Sequence, residues 1–177
     1  GNVTEFSVAS DHDISSSFAH LAGIPSVETA RFTGPGITDA GLESLDKLKE
    51  LKRLDVTDSA VGDETLKVAS HLGQLEAIFL RRTAVTDGGL AALTGLTKLR
   101  AVDLRNSNIT DAGLDQLAKI KTLVDIQLEK SKVTDVGVAK LAGLPLKSFN
   151  VNYCTAVGDP SLVVLGGMPT LESIQMD

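Results

Sequence analysis

The sequence predicts an α/β repeat solenoid: right-handed, built on a 24-residue repeat, with a parallel sheet on the concave face and short helices on the convex face. Three observations carry this. First, Asp recurs at 39, 63, 87, 111, 135 and 159, every interval being 24 residues. Four of these close a Val/Ile-Thr-Asp tripeptide, at 37–39, 85–87, 109–111 and 133–135, and two close a Val-Gly-Asp, at 61–63 and 157–159. Second, the hydrophobic rhythm changes once per period. Val102 and Leu104 alternate with Asp103 and Arg105, a strand pattern, whereas Leu114, Leu117 and Ile120 step by three, which suits one short helix. Third, a unit this short cannot bury its own apolar face, so neighbours must stack and share one core.

Taken in order, residues 1–26 hold a degenerate repeat, with Val3, Phe6 and Val8 as strand positions and Phe18, Leu21 and Ile24 as helix positions. This segment is expected to act as the N-terminal cap of a single domain. Residues 27–177 hold six repeats, opened by Val27, Leu51, Leu75, Leu99, Leu123 and Leu146, and a final strand opened by Leu171. The step from Leu123 to Leu146 is one residue short and the step from Cys154 to Val157 one residue long, which places a bulge near Thr155 and Ala156. The signature Asp is expected to be a helix N-cap, its carboxylate accepting exposed amides, with the preceding Thr sharing that role. Gly41, Gly89, Gly113 and Gly137 recur at one repeat position and read as packing glycines.

Composition agrees with a folded chain. Of 177 residues 42% are apolar and 23% charged, so disorder is excluded. Aromatics are only 3%, and the core must be aliphatic; there are 25 Leu. A single Cys excludes an internal disulfide and a multi-Cys zinc site. No apolar run reaches the length of a membrane span. The net charge of −6 gives no global attraction to nucleic acid or an anionic membrane.

The repeated pattern L-x-x-L-x-L-x-x-(S/T)-x-I-T-D-x-G-L-x-x-L-x-x-L resembles leucine-rich repeats. The resemblance is strong over residues 27–177 and weak over 3–26. The Thr-Asp-x-Gly-Leu signature is similar to that of the cysteine-containing subclass, found in F-box substrate receptors and many bacterial proteins. The form Ile-Thr-Asp-Ala-Gly-Leu at 37–42 and 109–114 looks most like bacterial repeats, those of planctomycetes included. At the subclass's cysteine position stand Ser59, Thr83, Ser107 and Ser131, and only Cys154 keeps the thiol. The resemblance implies a protein-interaction module.

Catalytic chemistry is sparse. Asp11, His12 and Asp13 with His20 match no familiar metal spacing and read as a solvated turn. His71 reads as a surface residue at the end of its helix, and Cys154 as a buried small apolar residue. Asn2 and Asn108 stand in glycosylation sequons, which matter only for a eukaryotic secretory source. No phosphate-binding glycine loop and no nucleophile–base pair is visible. We expect no enzyme, no cofactor and no metal.

Alternation puts the third, fifth, seventh and eighth residues of each repeat on the exposed sheet face. All six Arg (31, 53, 81, 82, 100 and 105) fall in the strand portion, while seven of the eleven Lys fall in the helical portion. Arg is enriched and Lys depleted at interfaces. Phe79 is apolar at an outward position, beside Ala77 and Ala101, with Arg81 and Arg105 one step along. The expected partner-binding residues are Phe79, Arg81, Arg82, Arg105, Arg53, Asp103 and Tyr153. Acidic residues interleave with the arginines, which fits a protein or peptide and not a polyanion.

The expected function is a non-catalytic module that binds a protein or peptide on its concave strands. The alternative is a structural or specificity appendage of a larger secreted, envelope or adaptor protein, though no F-box motif is visible. A monomer is expected, with dimerisation through the edge strand Leu171–Asp177 as the competing assembly. The missing initiator Met fits either a removed export signal, and so a secreted or envelope location, or a residue left by a cleaved tag.

Overall fold

The computed structural model describes residues 2–177. Eight strands form one parallel sheet in sequence order: β1 (Glu5–Ala9), β2 (Thr29–Thr33), β3 (Arg53–Asp55), β4 (Ala77–Phe79), β5 (Ala101–Asp103), β6 (Asp125–Gln127), β7 (Ser148–Asn150) and β8 (Ser173–Gln175). Register follows the repeat. Leu54, Ile78, Val102 and Ile126 pair in succession across β3–β6, then Phe149 and Ile174. Between strands run α1 (Asp63–Ala69), α2 (Asp87–Leu90), α3 (Asp111–Leu117), α4 (Asp135–Lys140) and α5 (Asp159–Gly166), with 3-10 turns at Ser15–Gly23, Leu42–Lys47 and Ala91–Gly95.

The core lies between sheet and helices. The stepped apolar set of one repeat, Leu99, Val102, Leu104, Ile109, Leu114, Leu117 and Ile120, is fully or almost fully buried. Because each repeat contributes the same layer, one continuous core runs from Phe18 to Met168. At the front, Phe32 stacks between Phe6 and Phe18, with ring centroids 5.5 and 5.3 Å away. The short and long steps appear at β6–β7 and β7–β8. Where Ala60, Ala84 and Lys132 donate their N–H to the previous repeat, the extra residue reverses the bond, and Ala156 accepts from the N–H of Asp135.

The signature Asp does not cap its own helix, contrary to expectation. Every α-helix starts at that Asp, and the Thr or Gly before it is the N-cap, in extended conformation. Thr110 and Thr134 accept the N–H two residues on. The carboxylate instead reaches the next repeat. Asp63, Asp87 and Asp111 each accept the backbone N–H and hydroxyl of Thr86, Thr110 and Thr134. The recurring glycine makes room for it: a Cβ on Gly89, Gly113 or Gly137 would fall 2.1–2.5 Å from that carboxylate.

Strand exits are abrupt. Asp58, Arg82, Asn106, Lys130 and Tyr153 occupy one repeat position, and all have φ between 52° and 59°. A left-handed residue cannot continue a strand, so no strand runs past this position, and the central strands end three residues before it. Arg81, Arg82 and Arg105 therefore lie just past their strands, whereas Arg31 and Arg53 lie within theirs.

Candidate functional site

The outward rows of β2–β7 and the turns that follow make up the candidate site. Strand register sets Arg53, Ala77 and Ala101 side by side, and likewise Asp55, Phe79 and Asp103. One step on, Arg81 and Arg105 are neighbours, since the N–H of Arg82 donates to the carbonyl of Arg105.

Most charges on this face are already engaged. Arg31 Nε lies 3.2 Å from Asp55 Oδ2. Arg82 grips Asp58 through Nε and Nη2, the latter at 2.8 Å. These bonds hold the Asp58 carboxyl below its ordinary range and raise the Arg82 guanidinium. Arg105 binds Asp103 with Nε at 2.9 Å and Nη2 at 2.6 Å, while its own N–H donates to Oδ1 at 3.1 Å. Asp103 is buried, 5% exposed, and its hydrogen bonds push Arg105 further toward the charged form. Removing Arg105 would leave that carboxylate unpaired, a loss of about 1–3 kcal/mol.

Phe79 is half-buried, and Arg53 lies over it with Cζ 4.9 Å from the ring centroid. Arg81 differs from the other arginines. Its Nε is removed from solvent and has no acceptor among the described residues, and no carboxylate there lies within ion-pair distance. A donor left so costs about 1–3 kcal/mol.

The structure thus gathers Arg53, Phe79, Arg81, Arg82, Asp103 and Arg105 on β3–β5 and their exits. Tyr153 does not join them. It follows β7, three strands from β4, roughly 14 Å away at ordinary strand spacing. There it is exposed, with Lys130 Nζ 5.2 Å from its ring. Asp55 and Asp58 were not among the expected binding residues, although they complete the group. Their 24-residue offset from Arg31 and Arg82 was the signal that could have found them.

Elsewhere the chemistry is local. Asp13 accepts the N–H of Ser15 at 2.8 Å, and no group of three or more His, Cys, Asp or Glu converges among the described residues. His71 is exposed, with Nδ1 3.4 Å from Asp46. Cys154 is buried, and its thiol donates to the carbonyl of Leu128. No helix of the described residues is long and apolar enough to cross a membrane.

The family described as Leucine Rich repeat matches residues 95–118. No curated protein matches the chain by sequence. Two solved structures are similar over 94% of the chain, each at 20% identity. One is an internalin C2 from Listeria monocytogenes, at TM-score 0.70. The other is an internalin (inlF) from the same organism, at TM-score 0.54. The chain spans 66% and 59% of their lengths. Eight parallel strands in one sheet, a helix or 3-10 turn between successive strands and one aliphatic layer per 24-residue repeat make this the α/β leucine-rich repeat fold.

Proposed function

We propose that the chain is a non-catalytic interaction module that recognises a protein or peptide on its concave strand face. Five of its six arginines gather on that face around Phe79, interleaved with carboxylates, and this observation carries the reading. Stacked repeats present such a face as one extended surface. Five arginines meet Asp55, Asp58, Asp103, Asp125 and Glu129, so the field is mixed, which suits a partner with its own charge pattern and suits nucleic acid poorly. The binding set is Phe79, Arg81, Arg82, Arg105, Arg53 and Asp103, with Tyr153 as a separate anchor.

Residues 1–26 are read as the N-terminal cap. Cys154 and the Thr-Asp-x-Gly-Leu signature support the cysteine-containing subclass, Ser59, Thr83, Ser107 and Ser131 depart from it, and the Ile-Thr-Asp-Ala-Gly-Leu repeats support a bacterial source. We read the chain as a monomer, although β8 is exposed throughout and could pair with a second molecule.

Capture from lysate of the source organism, read by mass spectrometry, tests the reading. The baits are the wild-type chain, Arg53→Ser/Phe79→Ser on the strand face, and Lys119→Ser/Lys121→Ser on the helix face. Arg105 is left intact because it neutralises Asp103. A protein held by the wild type and the helix-face variant but lost by the strand-face variant supports the proposal. Loss on the helix-face variant alone overturns it.

A further inference from the structure

We propose that Arg81 is the anchor for an acidic partner. Its guanidinium takes the side-chain carboxylate of an Asp or Glu on a peptide segment lying across β4 and β5. This rests on the reading of the strand face as the binding face.

The argument is one of unmatched donors. Arg31, Arg82 and Arg105 each hold a carboxylate, and Arg53 lies on Phe79. Arg81 alone of these five has no partner among the described residues, and its Nε–H is shut off from water. A guanidinium also presents its two Nη groups as a planar, end-on pair of donors that fits one carboxylate bidentately without Nε. In the neighbouring repeat the equivalent guanidinium is filled from within, Arg105 holding Asp103 through Nε and Nη2. In the repeat of Arg81, the residue in the place of Asp103 is Phe79. The internal acceptor is replaced by an aromatic ring, and the Nη end of Arg81 is left without a carboxylate among the described residues. An incoming carboxylate would restore the missing partner, with Phe79 and Ala101 as apolar floor beside it.

The surroundings select a single negative charge. Asp58, past the end of β3, and Asp103, on β5, flank Arg81, so a polyphosphate or nucleic acid would meet carboxylates on both sides. One carboxylate matches one free guanidinium.

The test is selection on the immobilised chain from a displayed library of short random peptides. Their C-termini are fused to the carrier, so only side chains supply carboxylates. The expected result is a peptide set sharing Asp or Glu at one position. Changing that residue to its amide, or Arg81→Gln in the chain, weakens binding about 30-fold or more, and the two changes together cost no more than either alone. Arg81→Lys recovers part of the loss, and Lys119→Gln on the helix face changes nothing. Arg81→Gln removes no hydrogen bond of the folded chain, and circular dichroism checks the fold of every variant. In a heteronuclear NMR titration the Nε–H resonance of Arg81 shifts on adding the wild-type peptide. Enriched peptides with no shared acidic position, whose binding is nonetheless lost on Phe79→Ser, overturn the anchor and leave the strand-face reading standing. Binding that survives both Phe79→Ser and Arg81→Gln overturns both. A library that yields no enriched peptide overturns the anchor.

Discussion

The carboxylate of Asp111 accepts the backbone N–H of Thr134 at 2.8 Å and its hydroxyl at 2.7 Å, and so ties the start of α3 to the start of α4. The same pair of bonds recurs from Asp63 to Thr86 and from Asp87 to Thr110. The Thr-Asp signature is therefore a ladder along the solenoid, and each rung belongs to two repeats.

Removing one rung should cost about 1–3 kcal/mol, because Asp111→Ala leaves the partly buried N–H and hydroxyl of Thr134 without their acceptor. Gly137→Ala should also destabilise, against its helix propensity. Alanine gains about 1 kcal/mol over glycine within a helix. Here its Cβ would lie 2.2 Å from Asp111 Oδ1 and 3.0 Å from Leu114 Cδ1. The carboxylate can retreat only by giving up its bonds to Thr134. We expect a net loss of about 1 kcal/mol by urea unfolding. Gly143→Ala, where a Cβ meets nothing within 4 Å, should cause no loss.

Two repeats build the rung differently, and the difference is a design rule. At 62 and 158 the Thr is replaced by Gly, and three residues on the hydroxyl reappears as Thr65 or Ser161. Asp39 then accepts the N–H of Gly62 with the N–H and hydroxyl of Thr65, and Asp135 does the same with Gly158 and Ser161. The hydroxyl has moved from the cap to the position that glycine holds elsewhere. Thr134→Gly and Gly137→Ser should each destabilise by about 1–2 kcal/mol, one by deleting the hydroxyl, the other by crowding it. Combined, they recreate the Gly158/Ser161 pattern and should return to within about 0.5 kcal/mol of wild type. A double-mutant cycle measured by chemical denaturation reads the coupling.

The repeat length, the sheet order and the buried set were legible in the sequence, because one 24-residue period fixes register, side-chain direction and layer at once. The role of Asp111 was not. Its residue type suits a cap, and only the fold shows that the nearest free amide lies in the next repeat. The alternation of Thr-x-x-Gly with Gly-x-x-Thr/Ser was there to be read as the clue. The candidate face was legible as a list of outward positions. Its pairing was not, because periodicity places Arg81 and Arg105 in equivalent sites while rotamer and neighbour decide that only Arg105 finds a carboxylate. The end of each strand was also hidden, since no hydrophobic rhythm reports a positive φ.

Lys130 has φ 58°, at the same position where Asn106 has φ 55° and Gly34 has φ 101°. A lysine pays for that conformation, whereas asparagine tolerates it. Lys130→Asn should therefore stabilise by about 0.5–1 kcal/mol, read as a rise in thermal midpoint. The contact between Lys130 and the exposed ring of Tyr153 is lost in this variant, and a null or negative change would mean that the contact outweighs the backbone strain.

Acid should weaken the ladder at Asp135. Its carboxyl is held below the ordinary carboxylate range chiefly by the hydroxyl of Ser161, then by the N–H groups of Gly158 and Ser161. A carboxyl with a depressed folded pKa lends stability that is fully present above the unfolded value, about 3.9, and is lost as pH falls through the folded one. Asp58, lowered by Arg82, and Asp46, lowered by Lys49, act in the same sense. The thermal midpoint should stay level from neutral pH to about 5 and fall steadily below about 4. Ser161→Ala removes the largest cause of the depression, so in an NMR titration of the Asp135 carboxyl carbon the midpoint should move up toward the ordinary value. The acid-induced loss of stability should shrink with it. An unchanged midpoint in Ser161→Ala would show that the backbone amides alone hold the charge.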